Sequence, residues 1–228
     1  MLVIRLTRVT STQDFAEAIH DMIEEKEFVV VAEEQTKARG RFGRAWYSPK
    51  GGLWVTHVMK DFEAERVPDL TLANALAIRK ALEKYVNAKI RWPNDVVVDD
   101  KKIAGVLVEA IARGDEATAF VGFGVDTNVT EFPKDVRATS VLLETGKLVD
   151  NDELMLEIIS LTKEYLRLNL SQLAKELDNY SSLNGREVRL SGEGWEKRCK
   201  ALFVDFMGRL VTDCGIFEVE EVHRVEVI

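Results

Sequence analysis

The residues best suited to chemistry crowd into one stretch, "EEQTKARGRFGRAWYSPKGGLW", residues 33 to 54. Between Lys37 and Lys50 it carries five cations, Lys37, Arg39, Arg41, Arg44 and Lys50, and no acid. Like charges held close together repel, so a bound anion would stabilise such a loop. The forked N–H groups of arginines 39, 41 and 44 suit phosphate or carboxylate. Gly40 and Gly43 free the backbone to approach a ligand, and Trp46 offers a flat face on which a base can stack. A solvated basic loop is the plain alternative. No G-x-x-x-x-G-K-[ST] pattern occurs in the chain, which excludes a P-loop nucleotide site.

A second cluster is "RWPNDVVVDDKKIAGVLVE". Pro93 biases Trp92 toward extended backbone, so Asn94 and Asp95 are expected at a turn entering a strand. Lys101 reads as a solvated hairpin tip. Lys102 opens the return strand and can point inward as a fixed positive charge, with Gly105 leaving room for a ligand. "GFGVDTN" supplies Gly122 and Gly124, but Thr127 stands where a dinucleotide fingerprint needs its third glycine; close strand packing is the other reading. Ser11, Thr12 and Gln13 are explained by a helix cap.

The elements that must position these residues follow from periodicity. "LVIRLTRV" alternates as a strand, and residues 11 to 26 are expected to form a helix capped by Ser11 or Thr12. "EFVVVAEEQT" reads as a buried strand feeding the basic loop, with "GGLWVTHVM" as the strand after it. Pro68 opens a helix over 68 to 86. A hairpin with "DDKK" at its tip and the strand "TAFVGFGVDTNV" follow, then one or two helices over 151 to 180. From Leu183 onward short β runs parted by Gly turns predict a small antiparallel β-barrel. The expectation is therefore α+β: a mixed β-sheet flanked by helices over residues 1 to 182, and a barrel over 183 to 228.

Bulk properties narrow the chemistry. The 31 Lys and Arg against 39 Asp and Glu give a net charge of −8, and a pI near 5.1 makes general nucleic-acid binding unfavourable. With 46% hydrophobic residues the chain can bury a real core. The N-terminus is interrupted by Arg5 and Arg8, and the run "IAGVLVEAIA" is too short to span a bilayer, so a cytoplasmic protein without a membrane segment is expected. His20, His57 and His223 with Cys199 and Cys214 lack metal-ligand spacing, which argues against zinc chemistry and His-dependent nucleophiles. Pairing of the two cysteines stays open.

Taken in order, "STQ", "QTKARGRFGRAWYSPKGGLW", "RWPNDVVVDDKKIAGVLVE" and "GFGVDTN" resemble the biotin protein ligase family. Its pattern runs Ser-Thr-Asn, a G-R-G-R-x-x-R-x-W loop, Lys-Trp-Pro-Asn-Asp, a Lys-Lys-containing strand and G-I-G-I-N-x-N. The resemblance covers most of residues 1 to 145. It implies a catalytic domain similar to class II aminoacyl-tRNA synthetases, a small C-terminal barrel, and the short form without an N-terminal DNA-binding segment. It further implies that biotin reacts with ATP and Mg²⁺ to give biotinyl-adenylate and pyrophosphate, and that a lysine of a biotin carboxyl carrier protein then takes the biotinyl group. A homodimer is expected, with "GGLWVTHVM" able to pair across a two-fold axis, and DNA is not an expected partner.

By the same resemblance Ser11, Thr12, Gln13 and Gln35 contact the biotin ring, with the backbone at Arg39 and Gly40. Gly105, Gly122 and Gly124 let the backbone lie against the ligand. Arg39, Arg41 and Arg44 hold phosphates, Trp46 stacks on adenine, and Asn94, Asp126 and Asn128 complete the adenylate site. Lys102 meets the biotin carboxylate and the α-phosphate. Asp95 sits beside the mixed anhydride, orienting the incoming amine or placing Mg²⁺. Lys102, Arg41 and Asp95 are the expected catalytic set. Three positions depart from the family pattern: Ala38 replaces a glycine, Gln13 an asparagine, and Asp126 an asparagine. An ionised Asp126 cannot donate to adenine, which would leave that contact to Asn128. A lipoate protein ligase and a biotin-binding sensor without transfer activity are the alternatives.

Overall fold

The computed structural model describes all residues, Met1–Ile228. In chain order the elements are β1 (Leu2–Val9), α1 (Thr12–Ile19), β2 (Glu27–Gln35), β3 (Leu53–Glu63), α2 (Asp69–Leu82), β4 (Lys89–Arg91), β5 (Asp95–Val98), β6 (Lys101–Arg113) and β7 (Glu116–Val125). They continue with α3 (Val141–Thr145), α4 (Asn151–Tyr165), α5 (Leu170–Asn179), β8 (Glu187–Gly192), β9 (Trp195–Val204), β10 (Leu210–Thr212), β11 (Gly215–Phe217) and β12 (Arg224–Val227).

The first seven strands form one mixed sheet in the order β1-β2-β3-β7-β6-β5-β4. Only β1 and β2 run parallel, joined through α1; the remaining neighbours are antiparallel. β3 is interior, paired on both sides by β2 and β7. The expected pairing of "GGLWVTHVM" across a two-fold axis is therefore corrected, because the strand has no free edge. The outer strands are β1 and β4, and β4 is covered at its centre, where Ile90 N donates to the Tyr180 carbonyl and the Ile90 carbonyl accepts from Ser182 N, both at 2.8 Å.

Helices cover both faces. On one, α1 packs Ala16 over Phe28, Val30, Val58 and Phe120. Ser11 caps α1, its Oγ accepting from the Asp14 amide at 3.2 Å, as the sequence suggests. The helix stops at Ile19, before a 3₁₀ turn over His20–Met22, well short of residue 26. On the other face α2 lies between the sheet and the α4–α5 layer, and twelve of its fourteen residues are buried. A helix apolar on every side is what a central layer requires. Its one buried amide, Asn74, donates to Thr162 Oγ1 of α4 at 2.9 Å.

The last five strands form an antiparallel sheet ordered β11-β10-β9-β8-β12. β11 and β12 are its outer strands, so the small antiparallel β domain expected from Leu183 onward is present as a five-stranded antiparallel sheet. Its inner residues, among them Val188, Leu190, Ala201 and Leu210, belong to the same apolar core as α2 and the large sheet. Polar ties add to this: Trp92 Nε1 donates to the Gly208 carbonyl at 2.8 Å, and Arg186 grips Asp100 through two bonds of 2.7 and 2.8 Å. Cys199 and Cys214 form a disulfide, with Cα atoms 5.8 Å apart.

Candidate active site

Two local features aim the cluster around Lys102. The β5–β6 turn is made by Asp99 and Asp100 at φ 47° and 62°, left-handed values that aspartate tolerates better than most residues. A register shift then separates the pairs Val96↔Ala104 and Val97↔Lys102, leaving Ile103 as the extra residue. Such a bulge re-aims its neighbours. The Lys102 ammonium consequently reaches Asp95 Oδ1 at 2.5 Å, and Asp95 Oδ2 also accepts from Arg91 at 3.1 Å.

Burial lowers the proton affinity of the Lys102 amine, opposed by the Asp95 charge beside it. Burial alone would raise the Asp95 carboxyl, but the Lys102 and Arg91 charges outweigh it and hold it below its ordinary value. Each charge favours the ionised form of the other. The pair forms a preset charge in a partly dry cleft, where electrostatic contacts are stronger than in water.

The cleft has a volume of about 930 Å³. Gly105 and Gly124 are direct cross-strand partners on β6 and β7, and together they make a flat floor. A Cβ at Gly105 would lie 2.9 Å from Lys102 Cε, and one at Gly124 would lie 2.8 Å from Trp46 Nε1. Here the missing side chains make room for Lys102 and the Trp46 indole. Gly122 differs: a Cβ there would meet Gln13 Oε1 at 2.6 Å, so this glycine accommodates Gln13.

At one end of the cleft stands a buried polar set. Gln35 Oε1 accepts from the Thr12 amide at 2.8 Å and from Thr12 Oγ1 at 3.1 Å, while its Nε2 donates to Ser48 at 3.0 Å. Gln13 gives both N–H groups away, to Glu109 at 3.0 Å and the Phe120 carbonyl at 3.1 Å. Its Oε1 lies 3.0 Å from Thr56 Oγ1. Gln13 is thus a strut. The Ser11 hydroxyl proton and one Gln35 N–H remain to recognise a polar ring.

The basic loop folds back as a small hairpin, with Arg39 bridged to Ala45 and Gly40 N bonded to the Arg44 carbonyl at 2.7 Å. Left-handed backbone falls at Phe42 and Gly43, φ 57° and 68°. Gly40 needs no such freedom, its φ being −102°. Ala38 is buried and its carbonyl accepts from Trp46 N at 2.9 Å, so the methyl group packs without disturbing the hairpin.

The loop's charge is partly answered from elsewhere. Arg39 donates to Glu109 at 2.6 Å and Asp14 at 2.9 Å, so its guanidinium is already neutralised. Arg41 also lines the cleft, with its guanidinium engaged by the C-terminal segment. It donates to the Val219 carbonyl, to the Val222 carbonyl at 3.2 Å, and to Asn94 Oδ1 at 3.5 Å. Arg44 has no ion-pair partner, and it lines the cleft as its uncommitted arginine.

The expected adenylate residues divide. Trp46 covers the glycine floor with Lys102 Nζ 4.4 Å from its ring centre, and its Nε1 is buried without a partner. Asn94 lines the cleft and donates to the Val106 carbonyl at 2.7 Å. Asn128 lies outside the walls: its amide donates to the Val149 carbonyl at 3.0 Å and accepts from the Val149 amide at 2.8 Å, using both ends. Asp126 does line the cleft, with Oδ1 buried and unpartnered. Burial pushes its carboxyl well above the ordinary range, opposed only by Lys102. In its neutral form it can donate a hydrogen bond, as an ionised aspartate cannot.

Residues absent from the sequence expectation also take part: Thr56, Glu109, Arg91 and the C-terminal segment Val219 to His223. Thr56 was detectable as the polar residue on the inward face of "LWVTHVM". The others depend on contacts distant in sequence.

Comparison with known proteins agrees with this architecture. Residues 4–126 match the model of the Biotin/lipoate A/B protein ligase family. The biotin–[acetyl-CoA-carboxylase] ligase of Mycobacterium tuberculosis is 30% identical over 203 residues, covering 82% of this chain and 73% of that protein. The bifunctional ligase/repressor BirA of Bacillus subtilis is 27% identical over 218 residues, covering 90% and 67%. Among solved structures, biotin protein ligase from Aquifex aeolicus in complex with biotin and ATP superposes with a TM-score of 0.85 at 30% identity, covering 100% of this chain and 99% of that one. With more than half of its residues under the family's own pattern and its whole fold shared with a ligase, the chain belongs to the biotin/lipoate A/B protein ligase family, among its biotin protein ligases.

Proposed function

We propose that this chain activates biotin with ATP to biotinyl-adenylate, releasing pyrophosphate, and then transfers biotin to a lysine of a biotin carboxyl carrier protein. The observation that carries this reading is the Lys102–Asp95 pair, 2.5 Å apart at the edge of a glycine-floored cleft. Attack of a carboxylate on a phosphate brings two anions together. A preset ammonium lowers that barrier, because its attraction grows as charge builds on the phosphate in the transition state.

Ser11 and Gln35 supply the remaining donors for the biotin ring, and Arg44 supplies the free cation for phosphate. Asp95, once Lys102 engages the ligand, orients the carrier's amine. Mg²⁺ would be held chiefly by ATP's own phosphate oxygens, as this ion prefers, because Asp95 spends its oxygens on Lys102 and Arg91. When bound it neutralises the departing pyrophosphate. Residues 1 to 182 form the catalytic domain in this reading, and 183 to 228 a smaller domain that closes one wall of the cleft. No helix is long and apolar enough to cross a membrane, and dependence on ATP fits a cytoplasmic enzyme. A homodimer would have to form without strand pairing through β3, which has no free edge.

The test is to mix the protein with ATP, Mg²⁺ and either biotin or lipoate, following pyrophosphate release with and without a carrier domain. Release with biotin and labelling of the carrier are expected. Release with lipoate alone would overturn the reading, and tight biotin binding without pyrophosphate would identify a sensor.

A further inference from the structure

The tip of the basic hairpin touches the C-terminal sheet. Arg41 donates to the carbonyls of Val219 and Val222, and the Phe42 ring lies on the His223 imidazole with centroids 3.8 Å apart at a 31° tilt. The Arg41 guanidinium lies 4.9 Å from the Phe42 ring centre. His223 immediately precedes β12, whose residues line the cleft's far wall. The hairpin therefore bridges two walls whose residues are almost 180 positions apart in sequence.

Phe42 holds φ 57° and ψ 30°, a left-handed conformation that is unfavourable for a bulky residue. Glycine would relieve that strain, as Gly43 does beside it. Phe42 is also 48% exposed, so core burial does not account for the aromatic ring. The ring it stacks on is that of His223. Strain that a glycine would remove, retained where the ring meets His223 of the opposite wall, points to a role in positioning the loop.

We propose that Phe42 and His223 form an aromatic latch that holds the basic hairpin closed over the cleft and so keeps the activated intermediate enclosed until the carrier arrives. This rests on the adenylate-forming reading above. Both are positioning residues: they act by holding Arg41, Arg44 and Trp46 in place. Without the latch the hairpin lifts, and the intermediate escapes to solution, where any exposed amine can take the acyl group and release AMP.

The test compares Phe42→Gly, His223→Ala and His223→Phe with the wild type. Two quantities are read: the fraction of pyrophosphate released that is not matched by carrier biotinylation, and amide hydrogen exchange across residues 38 to 46. Phe42→Gly and His223→Ala are expected to raise the unmatched fraction at least about fivefold and to speed exchange at Gly40 and Trp46. His223→Phe, which keeps a ring, should restore both. Phe42→Gly should melt no lower than the wild type, because glycine suits φ 57°; leakage in a fully stable variant separates latch loss from misfolding. Wild-type exchange and partition in both latch variants would overturn the proposal. If no variant, the wild type included, releases pyrophosphate with biotin, the proposed function fails while the exchange comparison still decides the latch.

Discussion

Asp126→Asn should stabilise the fold at neutral pH, by an amount that grows with pH. Asp126 is 2% exposed and its Oδ1 lacks a hydrogen-bond partner. Burial drives the carboxyl well above its ordinary 3.8, with Lys102 pulling the other way. Folding thus raises this acid's affinity for its proton, and the folded state holds more protons than the unfolded one. Its contribution is most favourable below about pH 4 and worsens as pH climbs toward the folded value. The slope is about 1.4 kcal/mol per pH unit. From an unfolded value of 3.8 the cost at pH 7 therefore reaches at most about 4 kcal/mol. An amide of the same size carries no such proton-linked cost. At about 2–4 °C per kcal/mol for a chain of this length, the variant should melt up to roughly 16 °C higher at pH 7 and close to the wild type at pH 4. Glu27, which its hydrogen bond to His57 holds at about 2, loses stability as pH falls, but it is common to both proteins and cancels. Thermal melts of the pair at pH 4.5, 6 and 7.5 measure the difference directly. Parallel curves, or an Asn variant less stable at pH 7.5, would refute the reasoning.

Three further outcomes are expected. Lys102→Ala should cut biotin-dependent pyrophosphate release by about 10²–10³-fold while biotin binding stays measurable by calorimetry; its stability cost should fall below the about 3–5 kcal/mol of a fully orphaned buried charge, because Arg91 still holds Asp95 at 3.1 Å. Unchanged turnover would remove Lys102 from the chemistry. Gly122→Ala forces a methyl group to 2.6 Å from Gln13 Oε1, whose amide is already committed on both ends, so denaturant unfolding should report a loss of about 1–3 kcal/mol together with weaker biotin binding; wild-type stability would mean that Gln13 yields freely. Cys214→Ser opens the disulfide across a separation of 15 residues and should cost about 3 kcal/mol by chain entropy, matched by adding reductant to the wild type.

Much of this site was legible because local rules decided it. Ser11 caps α1 through a bond three residues away, and the two aspartates at the β5–β6 turn fixed the hairpin that delivers Lys102. What sequence could not supply was partnership across the fold. Arg39 looked unrelieved because its acids, Asp14 and Glu109, lie 25 and 70 residues away. The contacts of Arg41 with the C-terminal segment were invisible because its carbonyl acceptors lie about 180 residues on. Strand alternation in "LWVTHVM" identifies a strand equally well at an edge or in the middle, so the interior position of β3 was invisible. Asn128 and Asp126 sit two residues apart and differ only in which end of the β7 exit they face, a choice made by the segment at Val149.

Because β3 is interior, the sheet's longer open flank is β1, eight residues with unpaired backbone groups along one side. Such a flank is a template for recruiting stray strands during synthesis or heating. Here it presents Arg5 and Arg8, both exposed, with Arg5 held by Asp152 at 2.8 Å. A second chain approaching in register would have to bury those charges. The arginines act as gatekeepers against aggregation, in a part of the molecule that takes no part in ligand handling.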